Sequence, residues 1–184
     1  RLFYDRPVHL VRGEGVWLYD ADGRRYLDCY NNVASVGHCH PHVVGALARQ
    51  AAMLNTHTRY LHDNVVRYAE RLAATFPADL SVCYFVCTGT EANDLAIRIA
   101  RVVSGHEGVI VSDDSYHGNS NVVSAASTSM YPKSEQPEWL ATVPPPDGYR
   151  GEYRYGTPEL GLKYAAKIDV AIAQLEQRGQ GSAA

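Results

Sequence analysis

The sequence Thr88-Gly89-Thr90-Glu91-Ala92-Asn93 lies between an apolar run and an amphipathic one. Residues 82–86, Val-Cys-Tyr-Phe-Val, predict a buried strand. After the hexapeptide, apolar side chains recur at helical spacing and predict one apolar helix face, formed by Ala92, Leu95, Ala96, Ile99 and Val103. The hexapeptide is therefore predicted to be a glycine-containing turn from a strand into a helix. Free N–H groups and the positive dipole end at such a helix start favour an anion, most often a phosphate group.

Thr88 and Glu91 permit a second interpretation of the same turn. Their spacing fits a capping box, in which each side chain accepts a hydrogen bond from the backbone N–H of the other residue. A capping box stabilises a helix start without any ligand. These residues alone leave both interpretations open, and the agreement of strand, glycine and helix favours the phosphate site.

The composition limits the classes of protein and partner that the chain fits. It has 184 residues, of which 46% are hydrophobic and 20% charged, as in soluble globular domains with a sizeable core. A net charge of −3 gives no basic stripe, so we expect no nucleic-acid partner. The apolar runs are shorter than a membrane span, and we find no signal-peptide pattern. We therefore expect no membrane association. Four cysteines do not suggest a disulfide scaffold, so we expect a reducing, cytoplasmic location.

The N-terminal part of the sequence predicts a small sheet and two helices. Short apolar runs on either side of a turn signal at residues 20–23 predict an antiparallel meander. Gly13-Glu14-Gly15 opens a strand instead of a helix and lacks a further glycine, which argues against a dinucleotide-binding fingerprint. Helices are predicted over residues 43–54, with Pro41 at the start, and over residues 63–76.

A second apolar run, residues 109–111, predicts the strand that follows the helix after Thr88. Together with residues 82–86 and the helix between them, it predicts a right-handed parallel crossover, the unit of an α/β sheet. Residues 113–118 then follow the carboxyl end of the second strand. Because open α/β sheets bind ligands at that edge, we expect residues 88–93 and 113–118 to face one site.

The remaining sequence predicts an irregular segment and a final helix. Residues 131–156 are rich in Pro, Tyr and Gly and show no clear periodicity, which is typical of a long functional or interface-forming loop. A helix is predicted over residues 157–178, with Gly179 as its stop signal.

Four motifs occur in a characteristic order: Gly13-Glu14-Gly15 through Asp28, Gly37-His38-x-His40-Pro41, Thr88 through Asn93, and Tyr116-His117-Gly118. Together they resemble the first part of a class III, fold type I, pyridoxal-phosphate (PLP)-dependent aminotransferase. Residues 61–101 are most similar to the branch of ethanolamine-phosphate phospho-lyases and alanine–glyoxylate-like aminotransferases. The resemblance covers nearly the whole chain.

The resemblance implies an α/β protein with the PLP-transferase fold type I. Its three-layer α/β/α large domain would be incomplete here and would follow a small antiparallel N-terminal segment. Residues 1–54 would join the small domain, and residues 55–184 would form the first part of the PLP-binding large domain. We therefore expect the chain to be part of a longer protein.

The resemblance also implies which residues bind the cofactor. The main chain of Gly89 and Thr90, with the Thr90 hydroxyl, would hold the PLP phosphate. Tyr116 would stack on the pyridine ring, and its spacing alone does not exclude a buried loop tyrosine. Gly118 would let the backbone pass close to the cofactor. The predicted cofactor-binding residues are Thr88, Gly89, Thr90, Tyr116, His117 and Gly118.

The substrate entrance of this family would be lined by Asn31, Asn32, Arg59 and Tyr60, partly from the partner subunit of a homodimer. Arg59 could pair with a substrate carboxylate or phosphate, and it fits an ordinary surface arginine equally well. These four residues are the predicted substrate-binding residues.

The family's Schiff-base lysine, and the aspartate that pairs with the pyridine nitrogen, would both lie downstream of residue 184. Lys133, Lys163 and Lys167 do not match the context of that lysine, so we assign no catalytic residue. The parent protein is predicted to transfer an amino group from an amine or amino acid to a 2-oxo acid, and this segment alone is predicted to be inactive. The alternatives are a phospho-lyase acting on phosphoethanolamine-like amines and a non-catalytic aminotransferase-like module.

Two other kinds of site fit the sequence less well. His38, Cys39, His40 and His42 crowd into five residues, whereas zinc ligands usually come as spaced pairs on two elements, so we predict no metal site. A Gly-x-Ser-x-Gly nucleophile motif is absent from the sequence, and His117 has no Ser or Cys partner in a motif context.

Overall fold

The computed structural model describes residues 4–30, 34–130 and 133–184. The chain divides into two compact units, residues 1–79 and residues 80–184. The division falls after Asp79, later than the expected domain boundary after residue 54, which stays a prediction. Among the described residues, no helix has both the length and the apolarity to cross a membrane.

The first unit begins with a three-stranded antiparallel sheet, whose strands follow one another in space as they do in sequence. These strands are β1 (Leu10–Glu14), β2 (Trp17–Asp20) and β3 (Arg25–Leu27). The predicted meander is therefore confirmed.

Asp20 fixes the turn between β2 and β3. Its Oδ1 accepts the N–H groups of Asp22 at 3.1 Å and Arg24 at 2.8 Å, the pattern of an Asx turn. Its Oδ2 accepts the Tyr26 hydroxyl at 2.8 Å. This last bond lowers the pKa of Asp20 and raises the pKa of Tyr26, because it stabilises the carboxylate and holds the phenol proton.

Two helices complete the first unit, α1 (Pro41–Met53) and α2 (Asp63–Ala73). Pro41 occupies the first turn of α1, where its fixed φ suits a helix and its missing N–H costs nothing. The N-cap of α2 is His62, whose Nδ1 accepts the Asn64 N–H at 3.2 Å. Both predicted helices are confirmed, with shifts of a few residues at their ends.

The described residues of the second unit form two parallel strands and four helical segments. In chain order, these strands and helical segments are α3 (Gly89–Ser104), β4 (Val109–Ser112), α4 (Asn121–Ala125), a 3-10 turn (Lys133–Glu135), β5 (Leu140–Val143) and α5 (Leu160–Gln177). In the register of the parallel pair, Val109 lies opposite Leu140 and Ser112 opposite Val143. The C-terminal residues run beside β4, because Ala184 accepts the Ile110 N–H at 2.8 Å.

Side chains alternate between the two faces of the β4–β5 pair, and each face is covered by helix. On one face Val109 and Leu140 pack with Ile97 of α3. On the other, Ala141 packs with Ala171 and Leu175 of α5. Leu140 and Leu175 are at most 2% exposed, and burying one such side chain contributes about 1.5–3 kcal/mol. The second unit thus has three layers, helix, sheet and helix, as the predicted α/β class requires.

The predicted strand over residues 82–86 is wrong for the part of the chain that the structure describes. No strand is assigned there, and Val82 and Tyr84 are 75% and 71% exposed. The parallel partner of β4 is β5 and not this segment. An apolar run shows that a segment can be buried, but a strand also needs a neighbour that satisfies its main chain.

The prediction of an irregular stretch over residues 131–156 is partly wrong, because β5 lies inside it. Its four residues stand between Pro137 and Pro144, and such a short run gives no clear periodicity. The predicted stop of the final helix at Gly179 is confirmed by its φ of 71° and by a hydrogen bond from its N–H to the Glu176 carbonyl at 2.9 Å.

The tyrosine-rich loop before α5 is held by the Tyr164 hydroxyl. This hydroxyl lies 3.0 Å from the Asp147 carbonyl and accepts the Tyr153 N–H at 3.2 Å. Tyr164 is 7% exposed, and its ring packs edge-on against Tyr153 with 5.2 Å between the centroids. The loop is therefore anchored on the first turns of α5 even though it contains no regular element.

Candidate functional site

The start of α3 carries a complete capping box. Thr88 is extended, with φ −141° and ψ 158°, and its Oγ1 accepts the Glu91 N–H at 3.1 Å. The Glu91 Oε2 accepts the N–H groups of Cys87 at 2.7 Å and Thr88 at 3.2 Å. The capping interpretation of this turn is therefore confirmed.

The same turn keeps two N–H groups that the cap does not use. Gly89 and Thr90 lie in the first turn of a 16-residue helix, where no intrahelical acceptor exists for their N–H groups. A Cβ placed on Gly89 would meet no atom within 4 Å, so the space beside this backbone is open. Together with the helix dipole, these donors can bind an anion.

The loop after β4 reaches this helix start at Gly118. Its φ is +135°, and a Cβ at this position would lie 2.6 Å from Thr90 Oγ1 and 2.9 Å from Thr90 Cα. Only glycine fits both the backbone conformation and the space. The structure thus brings Thr90 and Gly118, two predicted site residues from separate motifs, into contact at the carboxyl end of β4.

Side chains of three α3 residues, Thr90, Asn93 and Asp94, form hydrogen bonds that hold the loop in place. Thr90 Oγ1 donates to Asn119 Oδ1 at 3.2 Å, and Asn93 Nδ2 donates to the His117 carbonyl at 2.8 Å. Asp94 Oδ1 accepts the Ser120 hydroxyl at 2.8 Å. The three helix residues lie on one face, at spacings of three and four from Thr90. Sequence reasoning included Asn93 in residues 88–93, which were expected to face the site, and it missed Asp94, Asn119 and Ser120. The polar helix face that Asp94 shares with Thr90 and Asn93 was the signal for Asp94.

Tyr116 and His117 lie next to this contact and differ in exposure. Tyr116 is 62% exposed, so its ring is free to stack on a flat ligand. The His117 N–H donates to the hydroxyl of the fully buried Ser127 at 2.9 Å. Within residues 4–30, 34–130 and 133–184, the His117 Nε2 atom is buried without a hydrogen-bond partner. Buried polar atoms of this kind are uncommon and often mark a functional site.

The three lysines lie in different surroundings. Lys133 Nζ pairs with Asp113 Oδ2 at 3.2 Å, just beyond the carboxyl end of β4. Lys163 and Lys167 lie on α5, 5.7 Å and 5.4 Å from the centroid of the Tyr153 ring. Lys167 also bonds Glu152 at 2.8 Å, which raises the pKa of Lys167 and lowers that of Glu152.

The predicted substrate residues belong to the first unit. Asn31 and Asn32 lie outside the described residues. Tyr60 stacks on His57 with 5.1 Å between ring centroids and lines a cleft of about 420 Å³, while Arg59 is exposed. The cleft is lined by both apolar and polar side chains, among them Gln50, Leu54, Leu61, His62, Val65 and Val66.

A second set of contacts explains two of the sequence motifs. His38 and Gly15 exchange backbone hydrogen bonds of 2.7 and 3.0 Å. His38 Nε2 lies 2.7 Å from Asp28 Oδ2, and a Cβ on Gly13 would come within 2.7 Å of the His38 ring. Gly13 and Gly15 therefore form the backbone surface that receives the Gly37-His38 loop. Sequence reasoning did not find the Asp28–His38 pair.

A family model described as Aminotransferase class-III matches residues 4–174. The chain belongs to the class III aminotransferase family. The alanine–glyoxylate aminotransferase 2-like protein of Drosophila melanogaster is 43% identical over 191 residues, with 100% of this chain and 39% of the relative covered. Ethanolamine-phosphate phospho-lyase homolog 1 of Caenorhabditis elegans is 34% identical, with 100% and 42% covered.

Solved structures are similar over nearly the whole chain. A phospholyase from Arthrobacter in complex with phosphoethanolamine has a TM-score of 0.84 and 42% identity, with 98% of this chain and 43% of that one covered. The taurine:2-oxoglutarate aminotransferase of Bifidobacterium kashiwanohense, in complex with PLP and glutamate, has a TM-score of 0.74. Its identity of 23%, with 100% and 44% covered, shows the fold alone. The chain spans about two fifths of the length of the relatives it matches.

Proposed function

We propose that the protein containing this chain is a PLP-dependent aminotransferase that transfers an amino group from an amine or amino acid to a 2-oxo acid. The observation that carries the proposal is the contact between Thr90 and Gly118 beside the open start of α3. This contact places a helix N-terminus that can bind phosphate beside the loop that carries the exposed Tyr116. Both lie at the carboxyl edge of the sheet, where α/β proteins bind ligands.

The residues of this site fit PLP. The N–H groups of Gly89 and Thr90 provide two free donors for a phosphate dianion, and the Thr90 hydroxyl, which donates to Asn119 in this structure, would be the third. The exposed Tyr116 ring offers a stacking surface, and the buried His117 Nε2 still needs a polar partner. Gly118 leaves the backbone without a side chain where the loop meets Thr90.

When bound, PLP supplies an electron sink for negative charge on the carbon that bears the substrate amine. In this proposal the chain's own residues hold and orient that cofactor. Gly89 and Thr90 bind its phosphate, Thr88 fixes the turn through the capping box, and Tyr116 covers one ring face and excludes water from it. His117 and Gly118 shape the loop on which Tyr116 lies.

The substrate residues are part of the proposal as well. Asn31, Asn32, Arg59 and Tyr60 would line the entrance, with Arg59 offering a planar pair of donors to a carboxylate or phosphate. A homodimer that shares this entrance, and a cytoplasmic location, complete the proposal. The proposal assigns no proton-transfer residue within residues 1–184.

A phospho-lyase acting on phosphoethanolamine-like amines is the second candidate. It is favoured by the likeness to the Arthrobacter phospholyase, at 42% identity and a TM-score of 0.84. Transfer and elimination share the cofactor and its binding residues, and they differ in the fate of the substrate after the amine carbon loses a proton.

Protein expressed from the complete gene tests both candidates. We expect it to purify with bound PLP, which is detected by absorbance. Amino transfer is assayed with pairs of an amine and a 2-oxo acid. Elimination is assayed with phosphoethanolamine, by the phosphate that is released. Thr90→Val removes the hydroxyl at almost constant volume and should weaken PLP binding by about 10- to 100-fold, the worth of a hydrogen bond to a charged group. Thr90→Ser is the matched control and should retain PLP.

Lack of PLP binding by the wild-type protein would contradict the proposal. We also expect residues 1–184, expressed alone, to give no borohydride-reducible PLP adduct. An adduct on Lys133, Lys163 or Lys167 would show that one of these lysines carries the chemistry after all.

A further inference from the structure

The Thr90 hydroxyl and Asn119 are paired with each other at the mouth of the site. Thr90 Oγ1 donates to Asn119 Oδ1 at 3.2 Å, and the Asn119 backbone N–H lies 3.4 Å from the same hydroxyl oxygen. A hydroxyl has a single proton to donate. In this arrangement that proton is directed at the Asn119 carboxamide.

A phosphate group in the site would need the same proton. If the Thr90 hydroxyl donates to a phosphate oxygen, as the proposed function requires, Asn119 Oδ1 loses its donor. A half turn of the carboxamide resolves the conflict, because it replaces Oδ1 with Nδ2, which donates to the Thr90 oxygen. The hydroxyl oxygen then accepts from Asn119 and its proton is directed at the phosphate.

The backbone on both sides of Asn119 is fixed, so a turn of the side chain is the smallest change that is available. Gly118 is confined by its contact with Thr90, and the Ser120 hydroxyl is held by Asp94 at 2.8 Å. Asn119 itself is exposed, which leaves its carboxamide room to turn. The neighbouring contacts therefore hold the main chain, while the side-chain amide is free to rotate so that Oδ1 and Nδ2 exchange positions.

We propose that Asn119 is a positioning residue for the cofactor phosphate, whose carboxamide changes from acceptor to donor toward the Thr90 hydroxyl when a phosphate monoester binds. The proposal rests on the proposed function and adds a residue to it. It concerns the phosphate and not the ring of the cofactor.

Two substitutions separate this role from a merely structural one. Asn119→Asp keeps an oxygen that accepts from the Thr90 hydroxyl, but it cannot donate and it adds a negative charge beside a phosphate. Asn119→Ala removes the contact without adding charge. If Asn119 only holds the loop, N119D should be the milder change. If it directs the Thr90 proton at phosphate, N119D should be the more harmful one.

The experiment measures the affinity of PLP and of pyridoxal, which lacks the phosphate, for protein expressed from the complete gene. For PLP we expect N119A to weaken binding by about 3- to 10-fold, the worth of one hydrogen bond, and N119D by at least about tenfold more. The affinities of the two variants for pyridoxal should agree within about twofold, because pyridoxal has no phosphate to accept the Thr90 hydroxyl proton. Thermal unfolding of each apo variant checks that the fold is kept.

Asn121→Asp is the matched control for charge, because Asn121 is exposed and lies two residues further along the chain. It should leave both affinities at the wild-type value. N119D binding PLP as well as or better than N119A would overturn the inference while leaving the proposed function intact. An equal loss of pyridoxal affinity would overturn it too, and a wild-type protein that binds no PLP would contradict the proposed function itself.

Discussion

Replacing Gly118 with alanine should destabilise the second unit, because this buried position combines a positive φ with a close approach to Thr90. The backbone φ of +135° is unfavourable for a residue with a Cβ and costs about 1–3 kcal/mol. The added Cβ would lie 2.6 Å from Thr90 Oγ1 and 2.9 Å from Thr90 Cα, and such overpacking costs about 1–3 kcal/mol more. We therefore expect a loss of about 2–6 kcal/mol in the free energy of unfolding.

Gly156→Ala is the matched control for this prediction. Its φ of +87° also disfavours alanine, but a Cβ there would meet no atom within 4 Å. Both substitutions restrict the unfolded chain equally, so that term cancels between them. The difference between the two variants isolates the contact with Thr90 and should be about 1–3 kcal/mol.

Urea unfolding followed by Trp139 fluorescence measures this difference in the second unit. The variants are made in the 184-residue chain, and its other tryptophan, Trp17 in the first unit, is replaced by phenylalanine in all of them so that Trp139 alone reports. If Gly118→Ala is no less stable than Gly156→Ala, the close approach of the loop to Thr90 does not exist as described. PLP affinity, measured on the same two substitutions in protein expressed from the complete gene, should fall for Gly118→Ala and stay unchanged for Gly156→Ala.

Three other substitutions test separate contacts. Thr88→Ala should lower the free energy of unfolding by about 1 kcal/mol through loss of the helix cap, while Thr88→Ser should restore most of it in the same urea titration. Tyr164→Phe should cost about 1–3 kcal/mol, because the Tyr153 N–H loses its buried acceptor; an unchanged urea midpoint would contradict this. Lys167 lowers the pKa of Glu152 below 4.5, so the stability that this carboxylate adds is present above that pH and is lost as the pH falls through its lowered pKa. Between about pH 6 and pH 3, wild-type protein should lose more stability than Glu152→Gln, and equal losses would refute the pairing.

Features that depend on neighbouring residues were predictable from the sequence. The capping residues Thr88 and Glu91 are three positions apart, and the structure forms both of their hydrogen bonds. Pro41 at the start of α1 and Gly179 after α5 likewise act within one helical turn. In each case the physical cause lies inside the stretch that shows the pattern.

Features that depend on distant partners were not predictable in the same way. Residues 82–86 are apolar enough for a buried strand, yet β4 pairs with β5, which lies between prolines and gives no periodic signal. The Asp28–His38 pair joins two residues whose sequence contexts say nothing about each other. Strand pairing and loop contacts are decided by which surfaces meet, and a single sequence does not record that.

The capping box and the anion site at the start of α3 use different atoms and can operate together. A helix start leaves four N–H groups without intrahelical acceptors, here those of Thr88, Gly89, Thr90 and Glu91. The box satisfies the first and the last, through Glu91 Oε2 at 3.2 Å and Thr88 Oγ1 at 3.1 Å. The two N–H groups between them remain for a ligand. The cap thus stabilises the turn in the absence of an anion and leaves free the donors that the proposed phosphate site would use. The capping box is therefore compatible with the predicted phosphate site.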